Sequence, residues 1–97
     1  MMLVLVTYDV ATVEKAGQKR LRQVAKICVN HGQRVQKSVF ECWLSNEDLV
    51  RLRQQLLDVM VPDEDSVRFY FLGSNWQYKV EHYGRNPSLN MEDPLII

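Results

Sequence analysis

The stretch from Gly32 to Leu44, which reads G-Q-R-V-Q-K-S-V-F-E-C-W-L, constrains the fold of this chain more than any other. Two short runs rich in Val, Phe and Trp flank a polar step at Lys37 and Ser38, which predicts two strands packed side by side and joined by a bend. The bend would carry side chains able to donate hydrogen bonds to phosphate oxygens, namely Arg34, Gln36, Lys37 and Ser38. These residues alone leave open a phosphate-binding hairpin and a simply solvated one.

The first segment, Met1 to Tyr8, is apolar on both of its alternating sides and therefore predicts a central strand buried on both faces. It ends at Asp9. Aspartate is disfavoured within strands, and at the end of a central strand it serves either as a turn former or as a functional carboxylate. A turn former is the commoner of the two, and the residue alone leaves both interpretations open.

Helical periodicity follows from Val13 to His31, with an apolar stripe at Gly17, Leu21, Val24 and Cys28 that would face the sheet. Gly32 is expected to end this helix. Arg20 falls on the apolar side, where a guanidinium must extend to solvent or find an anion.

Four basic residues form a ridge on the opposite side of this helix: Lys15, Lys19, Arg22 and Lys26. Like charges at three- and four-residue spacing repel by a few tenths of a kcal/mol, so water tolerates them and a bound anion would relieve them. A solvated basic face is the commoner explanation, and a phosphate-binding ridge is the alternative.

A second helix is expected after Ser45, which forms an approximate capping box with Asp48. Its buried stripe is Leu49, Leu52, Leu56 and Met60. Pro62 and the acidic D-E-D that follows end it, and an alternating strand runs from Val67 to Leu72. The order βαββαβ predicts an α+β, ferredoxin-like fold with both helices on one face of an antiparallel sheet.

The uncovered sheet face is expected to be apolar, through the first strand and through Phe40, Trp43, Tyr70 and Leu72, which predicts a homodimer packed sheet to sheet. A fifth strand, Trp76 to Glu81, would pair with an open sheet edge of the partner, and the break from Gly84 to Pro87 leads to an apolar tail that would dock into a groove. We therefore divide the chain into a core, 1–73, and a segment for dimer and partner docking, 74–97.

The 97 residues suffice for one domain, and 12 Lys and Arg balance 12 Asp and Glu, so nucleic-acid binding would need a local basic patch. Cys28 and Cys42 have no metal-ligand spacing and are expected to be reduced core residues. The apolar start is too short for a secretion signal or a membrane span. We therefore expect a soluble, cytoplasmic protein without a membrane partner.

Three blocks closely resemble the small CRISPR-associated Cas-two proteins: V-T-Y-D-V at the end of the first strand, K-R-L-R-Q-V-A-K on the first helix, and G-Q-R-V-Q-K-S-V-F-E after it. R-F-Y-F-L and the closing Y-G-R-N-P to P-L-I-I are similar to the branch attached to compact type I systems. His31 stands where that family often carries Tyr.

The resemblance implies a homodimeric protein of antiviral defence whose fifth strand crosses to the partner's sheet and which works with the Cas-one integrase in spacer acquisition. Many members are endonucleases that depend on Mg²⁺ or Mn²⁺ and cut double-stranded DNA or single-stranded RNA, and some only scaffold DNA. The resemblance makes Asp9 the catalytic and metal-binding residue, with Tyr8, Arg20, Ser38 and Phe40 near it.

Two hypotheses follow, one enzymatic and one structural. In the first, Asp9 of both subunits binds the metal, because Mg²⁺ accepts one or two carboxylates and otherwise keeps water and substrate oxygens. In the second, duplex DNA lies across the helix ridges of a dimer that does not cut it.

Overall fold

The computed structural model describes residues 1–73 and 79–85. Its five strands are β1 (Met2–Asp9), β2 (Gln33–Gln36), β3 (Val39–Leu44), β4 (Ser66–Phe71) and β5 (Lys79–Gly84), and its two helices are α1 (Lys15–Val29) and α2 (Asn46–Val59).

The strands form one antiparallel sheet in the order β2-β3-β1-β4-β5. The first four strands have the βαββαβ connectivity with β1 between β3 and β4, so the predicted ferredoxin-like fold is confirmed. Strand β1 is central and pairs with β3 up to Thr7, and Asp9 at its end pairs with Ser66 of β4.

One face of the sheet carries the hydrophobic core. Alternate residues of β1, Val4, Val6 and Tyr8, lie with the buried residues of both helices, among them Val24 and Leu52. The intervening residues of β1 are only half-buried, because both helices cover the same face. Within a single chain only one face of β1 is buried. The other face, which was also predicted to be buried, lies on the open side of the sheet.

Phe40 was expected on the open face, and this prediction is wrong. Val6 pairs with Phe40 across the β1–β3 ladder, which puts the phenyl ring on the helix-covered face, where it has no exposed surface. Apolar residues on both sides of β3 hid this parity in the sequence. Trp43, which alternates with the buried Cys42 and Leu44, lies on the open face and is 62% exposed.

Gly32 follows α1 as predicted, and its amide donates to the Cys28 carbonyl at 2.9 Å. Gly32 does not adopt the left-handed conformation common at helix ends, since among the described glycines only Gly84 has a positive φ. Gly32 is instead required by close approach, because a Cβ would lie 2.4 Å from both Cys42 Sγ and the Glu41 carbonyl oxygen. The helix itself is shorter than predicted, at Lys15–Val29.

The start of α2 follows the prediction, since Ser45 Oγ accepts a hydrogen bond from the Asp48 amide at 3.1 Å. On the sheet side of this helix, Arg53 donates to both carboxylate oxygens of Glu81 on β5, at 3.0 and 3.1 Å. This ion pair fastens the last described strand to the second helix.

The fifth strand differs in its bounds from the predicted Trp76 to Glu81, because it runs to Gly84 in register with Ser66 of β4. Within this chain it covers the edge of its own β4. The predicted crossing to a partner's sheet stays a prediction, as do the roles assigned to 74–97. Trp76, Tyr78 and the apolar tail lie outside the described residues.

Both cysteines are free and have no exposed surface, as predicted. Burial raises the pKa of Cys28 to about 12, with the neighbouring Cys42 adding to the effect, and it raises the pKa of Cys42 to about 11. In the described part of the chain, neither helix is long and apolar enough to cross a membrane.

Candidate functional site

Asp9 is the last residue of the central strand, and its side chain is exposed. It pairs with Ser66 across the β1–β4 ladder and shares the open face with Thr7 and Leu5. The carboxylate therefore lies at one end of the uncovered face, where a second molecule or a substrate can reach it.

A buried carboxylate holds the segment that follows Asp9. Asp65, which has no exposed surface, accepts hydrogen bonds from the Ala11 amide at 3.2 Å and from the Val61 amide at 2.9 Å. Arg20 donates to both of its oxygens, at 2.8 and 3.1 Å. Asp65 thus joins the chain just beyond Asp9 to α1 and to the loop before β4.

Burial alone would raise the pKa of Asp65, but the hydrogen bonds from Arg20 and from the Val61 and Ala11 amides outweigh it. The pKa of this carboxyl is therefore held below its ordinary value of 3.8. Asp65 carries a negative charge at neutral pH, and its partner is Arg20.

Arg20 was predicted both to need an anion and to contact nucleic acid. The first prediction is confirmed, since Arg20 pairs with Asp65 and, at 3.1 Å, with the exposed Glu64. The predicted contact of Arg20 with nucleic acid stays a prediction. In this structure its guanidinium is already paired with two carboxylates. Sequence reasoning missed Asp65 because the D-E-D run was interpreted only as the end of a helix, although it offered the anion that Arg20 required.

Gly17 allows the segment after Asp9 to approach α1. A Cβ at this position would lie 1.8 Å from the Ala11 carbonyl oxygen, so no other residue fits without moving backbone. Gly17 was predicted to lie on the apolar stripe. The structure shows that its missing side chain leaves room for the backbone of Ala11.

Tyr8 and Phe40 lie on the helix-covered face, opposite the face that carries Asp9. Their rings stack with centroids 6.1 Å apart, and the Arg34 guanidinium lies 5.1 Å from the Phe40 centroid. The Tyr8 hydroxyl donates to the Lys37 carbonyl at 3.4 Å, and burial raises the pKa of this phenol against a smaller opposing effect of Arg34. The two aromatic residues thus support the hairpin bend rather than touching the Asp9 carboxylate.

The bend predicted at Lys37 and Ser38 is confirmed as the turn between β2 and β3. It forms one side of a groove of about 690 Å³, and α1 forms the other. Five of the residues predicted to bind nucleic acid line this groove together: Arg22, Arg34, Gln36, Lys37 and Ser38.

The other ridge residues, Lys15, Lys19 and Lys26, lie exposed along α1. Among residues 1–73 and 79–85, none of the four ridge cations lies within ion-pair distance of a carboxylate. The ridge therefore keeps its positive charge uncompensated by the described acidic side chains.

Both histidines lie within hydrogen-bond distance of neighbouring polar groups. His31 Nε2 lies 3.0 Å from Gln55 Oε1, and His82 Nδ1 accepts from Arg68 Nε at 3.0 Å. Because Nδ1 accepts, the proton of the neutral ring lies on Nε2, which faces the Gly84 and Arg85 carbonyls at 3.2 and 3.0 Å.

In proteins a divalent cation such as Mg²⁺ is held by carboxylates together with water and substrate oxygens. The described residues contain no group of three or more His, Cys, Asp or Glu side chains able to hold one. Asp9 by itself supplies one carboxylate ligand. A Mg²⁺ or Mn²⁺ ion would need a second carboxylate or a substrate phosphate, together with water, to complete its ligands. A metal site shared between two Asp9 side chains of a dimer stays a prediction.

Comparison with known proteins shows the family to which this chain is similar. The family model described as CRISPR associated protein Cas2 matches residues 2–80. The chain is 57% identical to the CRISPR-associated endoribonuclease Cas2 of Chlorobaculum tepidum, covering 99% of this chain and 100% of that protein. It is 54% identical to the CRISPR-associated endonuclease Cas2 of Halalkalibacterium halodurans, covering 98% and 99%.

The fold is also similar to that of a solved structure, the crystal structure of Streptococcus pyogenes Cas2 at pH 6.5. The TM-score is 0.70 at 55% sequence identity, with 78% of this chain and 92% of that chain covered. The order of the elements, the open-faced sheet and these matches along almost the whole chain together establish that this protein belongs to the CRISPR-associated Cas2 family.

Proposed function

We propose that this protein is a metal-dependent endonuclease that acts as a homodimer in CRISPR spacer acquisition. The observation that carries the proposal is the exposed Asp9 carboxylate at the end of the central strand, on the sheet face that the helices leave uncovered. The relatives from Chlorobaculum tepidum and Halalkalibacterium halodurans are named as nucleases, which supports phosphodiester hydrolysis as the reaction class.

In the proposed mechanism, Asp9 of each subunit faces its counterpart across the two-fold axis. A Mg²⁺ or Mn²⁺ ion bound there would polarise the phosphoryl group and lower the pKa of a water molecule. The chain's own contribution is to hold the carboxylate in place, since Asp65 fixes the Ala11 amide two residues beyond it. The substrate backbone is held by the basic residues of α1 and of the β2–β3 turn.

Double-stranded DNA is the substrate we favour, with single-stranded RNA as the alternative. The ridge of exposed cations on α1 supports nucleic acid as the ligand, because phosphate contacts supply most of the affinity for its backbone. The Cas-one integrase would be the protein partner, bound through 74–97.

Cleavage assays with Asp9→Ala and Asp9→Asn test the proposal. Purified protein is incubated with plasmid DNA and with RNA, in Mg²⁺, in Mn²⁺ and in chelator. We expect metal-dependent cutting that both variants lose while their folding is unchanged, because Asp9 is exposed. Cutting that survives in either variant would rule out Asp9 as the catalytic residue.

A non-catalytic scaffold is the second candidate, and the uncompensated charge of the α1 ridge favours it. In that case wild type binds duplex DNA without cutting it in any metal, and loss of ridge charge weakens binding. The same assays, with binding measured alongside, therefore separate the two functions.

A further inference from the structure

The groove between α1 and the β2–β3 turn has the dimensions of a ligand site. Its volume of about 690 Å³ lies within the range usual for small-molecule pockets. Its apolar wall is formed by Leu21 and Ala25 of α1, and Val35 of β2, which is 45% exposed, adds apolar surface on the other side.

Three cations line the groove, Arg22, Arg34 and Lys37, and its lining includes no carboxylate. All three are exposed, and none pairs with an acidic side chain of the described residues. A concave surface with cations and no acid attracts anions and holds phosphate well.

Arg34 adds a flat surface to this charge. Its guanidinium carbon lies over the ring of the fully buried Phe40, 5.1 Å from the ring centroid, while the residue as a whole stays exposed. Guanidinium planes held in this way are surfaces on which nucleobases stack. A free phosphate would use the cations but not the stacking plane or the apolar wall.

We propose that this groove binds one unpaired nucleotide, with the phosphate at Arg22 and Lys37 and the base against Arg34 and the apolar wall. The inference rests on the proposed function in taking nucleic acid as the ligand, and it adds that the groove selects a single-stranded segment. Bases inside an intact duplex are stacked on their neighbours and cannot enter. Tyr8 borders the groove and Asp9 follows it on the opposite sheet face, so the bound nucleotide is an anchor separate from the cutting site.

Binding measurements in chelator test the proposal without any contribution from cleavage. Fluorescence anisotropy compares a short oligothymidylate, an abasic strand of the same length and a blunt duplex. Ala25→Phe fills the groove without changing charge, and Arg34→Gln removes the stacking cation. Lys15→Gln, on the same helix but outside the groove, is the matched control.

We expect each groove variant to weaken oligothymidylate binding by about fivefold or more relative to duplex binding, since stacking of a base contributes at least that factor. The abasic strand should bind wild type correspondingly less tightly, and Lys15→Gln should lower single-strand and duplex affinity together. Equal affinity of wild type for oligothymidylate and abasic strands would overturn the proposal.

Thermal unfolding shows whether Ala25→Phe is folded. If that variant is unfolded, the binding ratio of Arg34→Gln alone tests the groove site. An unchanged ratio of single-strand to duplex affinity in the folded variants would also overturn the groove site. The proposed nuclease would survive that result if Asp9-dependent cleavage persisted. Conversely, a groove effect in a protein that cuts neither DNA nor RNA in any metal would keep the site and reject the nuclease assignment.

Discussion

Asp65 has four hydrogen-bond donors on a side chain that lies wholly inside the protein. Asp65→Asn would leave the Arg20 guanidinium, 13% exposed, without its buried charged partner and with only the exposed Glu64 to pair with. We expect the free energy of unfolding in urea to fall by about 3–5 kcal/mol, the usual cost of breaking a buried ion pair from one side. Glu64→Gln removes the exposed partner of the same arginine and should cost less than about 1 kcal/mol. Equal losses in the two variants would contradict this assignment.

The Asp65 pair also predicts how stability depends on pH. The folded pKa of Asp65 lies below its ordinary value of 3.8, so its stabilisation is complete above that value and is lost as the pH falls through the folded pKa. The difference in unfolding free energy between wild type and Asp65→Asn should therefore be constant near neutral pH and should narrow below about pH 4. A difference that grew on acidification would refute this linkage.

Gly17→Ala should destabilise the protein, although alanine is the better helix former by about 1 kcal/mol. The added Cβ would meet the Ala11 carbonyl oxygen, and backbone on both sides would have to move. We expect a loss of at least about 1–3 kcal/mol in urea unfolding, as for other overpacked sites. Gln23→Ala, at an exposed position of the same helix, should be nearly neutral, and a gain in stability for Gly17→Ala would disprove the close contact.

At the scale of elements, the ridge on α1 makes a prediction about salt. If Lys15, Lys19 and Lys26 contact phosphates, replacing any one with Gln should weaken duplex binding for every sequence and reduce the salt slope by about one ion. Gln18→Ala, an exposed uncharged position on the same helix, is the control. A wild-type affinity that does not change with salt would refute the ridge as a phosphate-binding surface.

The elements themselves were predicted where a local signal specified them. The polar bend at Lys37 and Ser38, the Ser45 cap and the periodicity of both helices depend on neighbouring residues, and each lies where the sequence indicated. The face occupied by Phe40 was not predictable, because strand β3 is apolar on both sides and register depends on the partner strand.

In the candidate site, too, the residues marked by a local signal could be predicted, and the contacts that depend on tertiary packing could not. Asp9 was assigned from the family resemblance, because its place at the end of a strand left the commoner turn former open, and the bend residues were singled out by their polarity. Asp65 is distant from Arg20 in sequence and approaches it only when α1 packs near the loop before β4, so nothing local indicated the pairing. The groove at the bend likewise requires α1 and the hairpin to be brought together.

At the scale of the whole molecule, the open sheet face predicts the assembly. Leu3 and Leu5 are half-buried there beside the exposed Trp43, an apolar surface typical of an interface. We expect two chains per particle in sedimentation at micromolar concentration, and Leu5→Glu should shift the equilibrium towards monomer. Val50→Glu, exposed on α2, is the control and should leave the assembly unchanged. A wild-type monomer under these conditions would contradict both the interface and a metal site shared between two Asp9 residues.

The two buried thiols, Cys28 and Cys42, allow unfolding of the core to be measured by chemical labelling. Cys28 and Cys42 have no exposed surface and are protonated at neutral pH, so an alkylating reagent reaches them only in molecules whose core has opened. With fast reclosing, the alkylation rate measures the population of the open state. Any nucleic acid that binds only the folded chain should therefore protect both thiols in proportion to its occupancy, which turns a simple mass-spectrometric count of labelled cysteines into a measure of affinity.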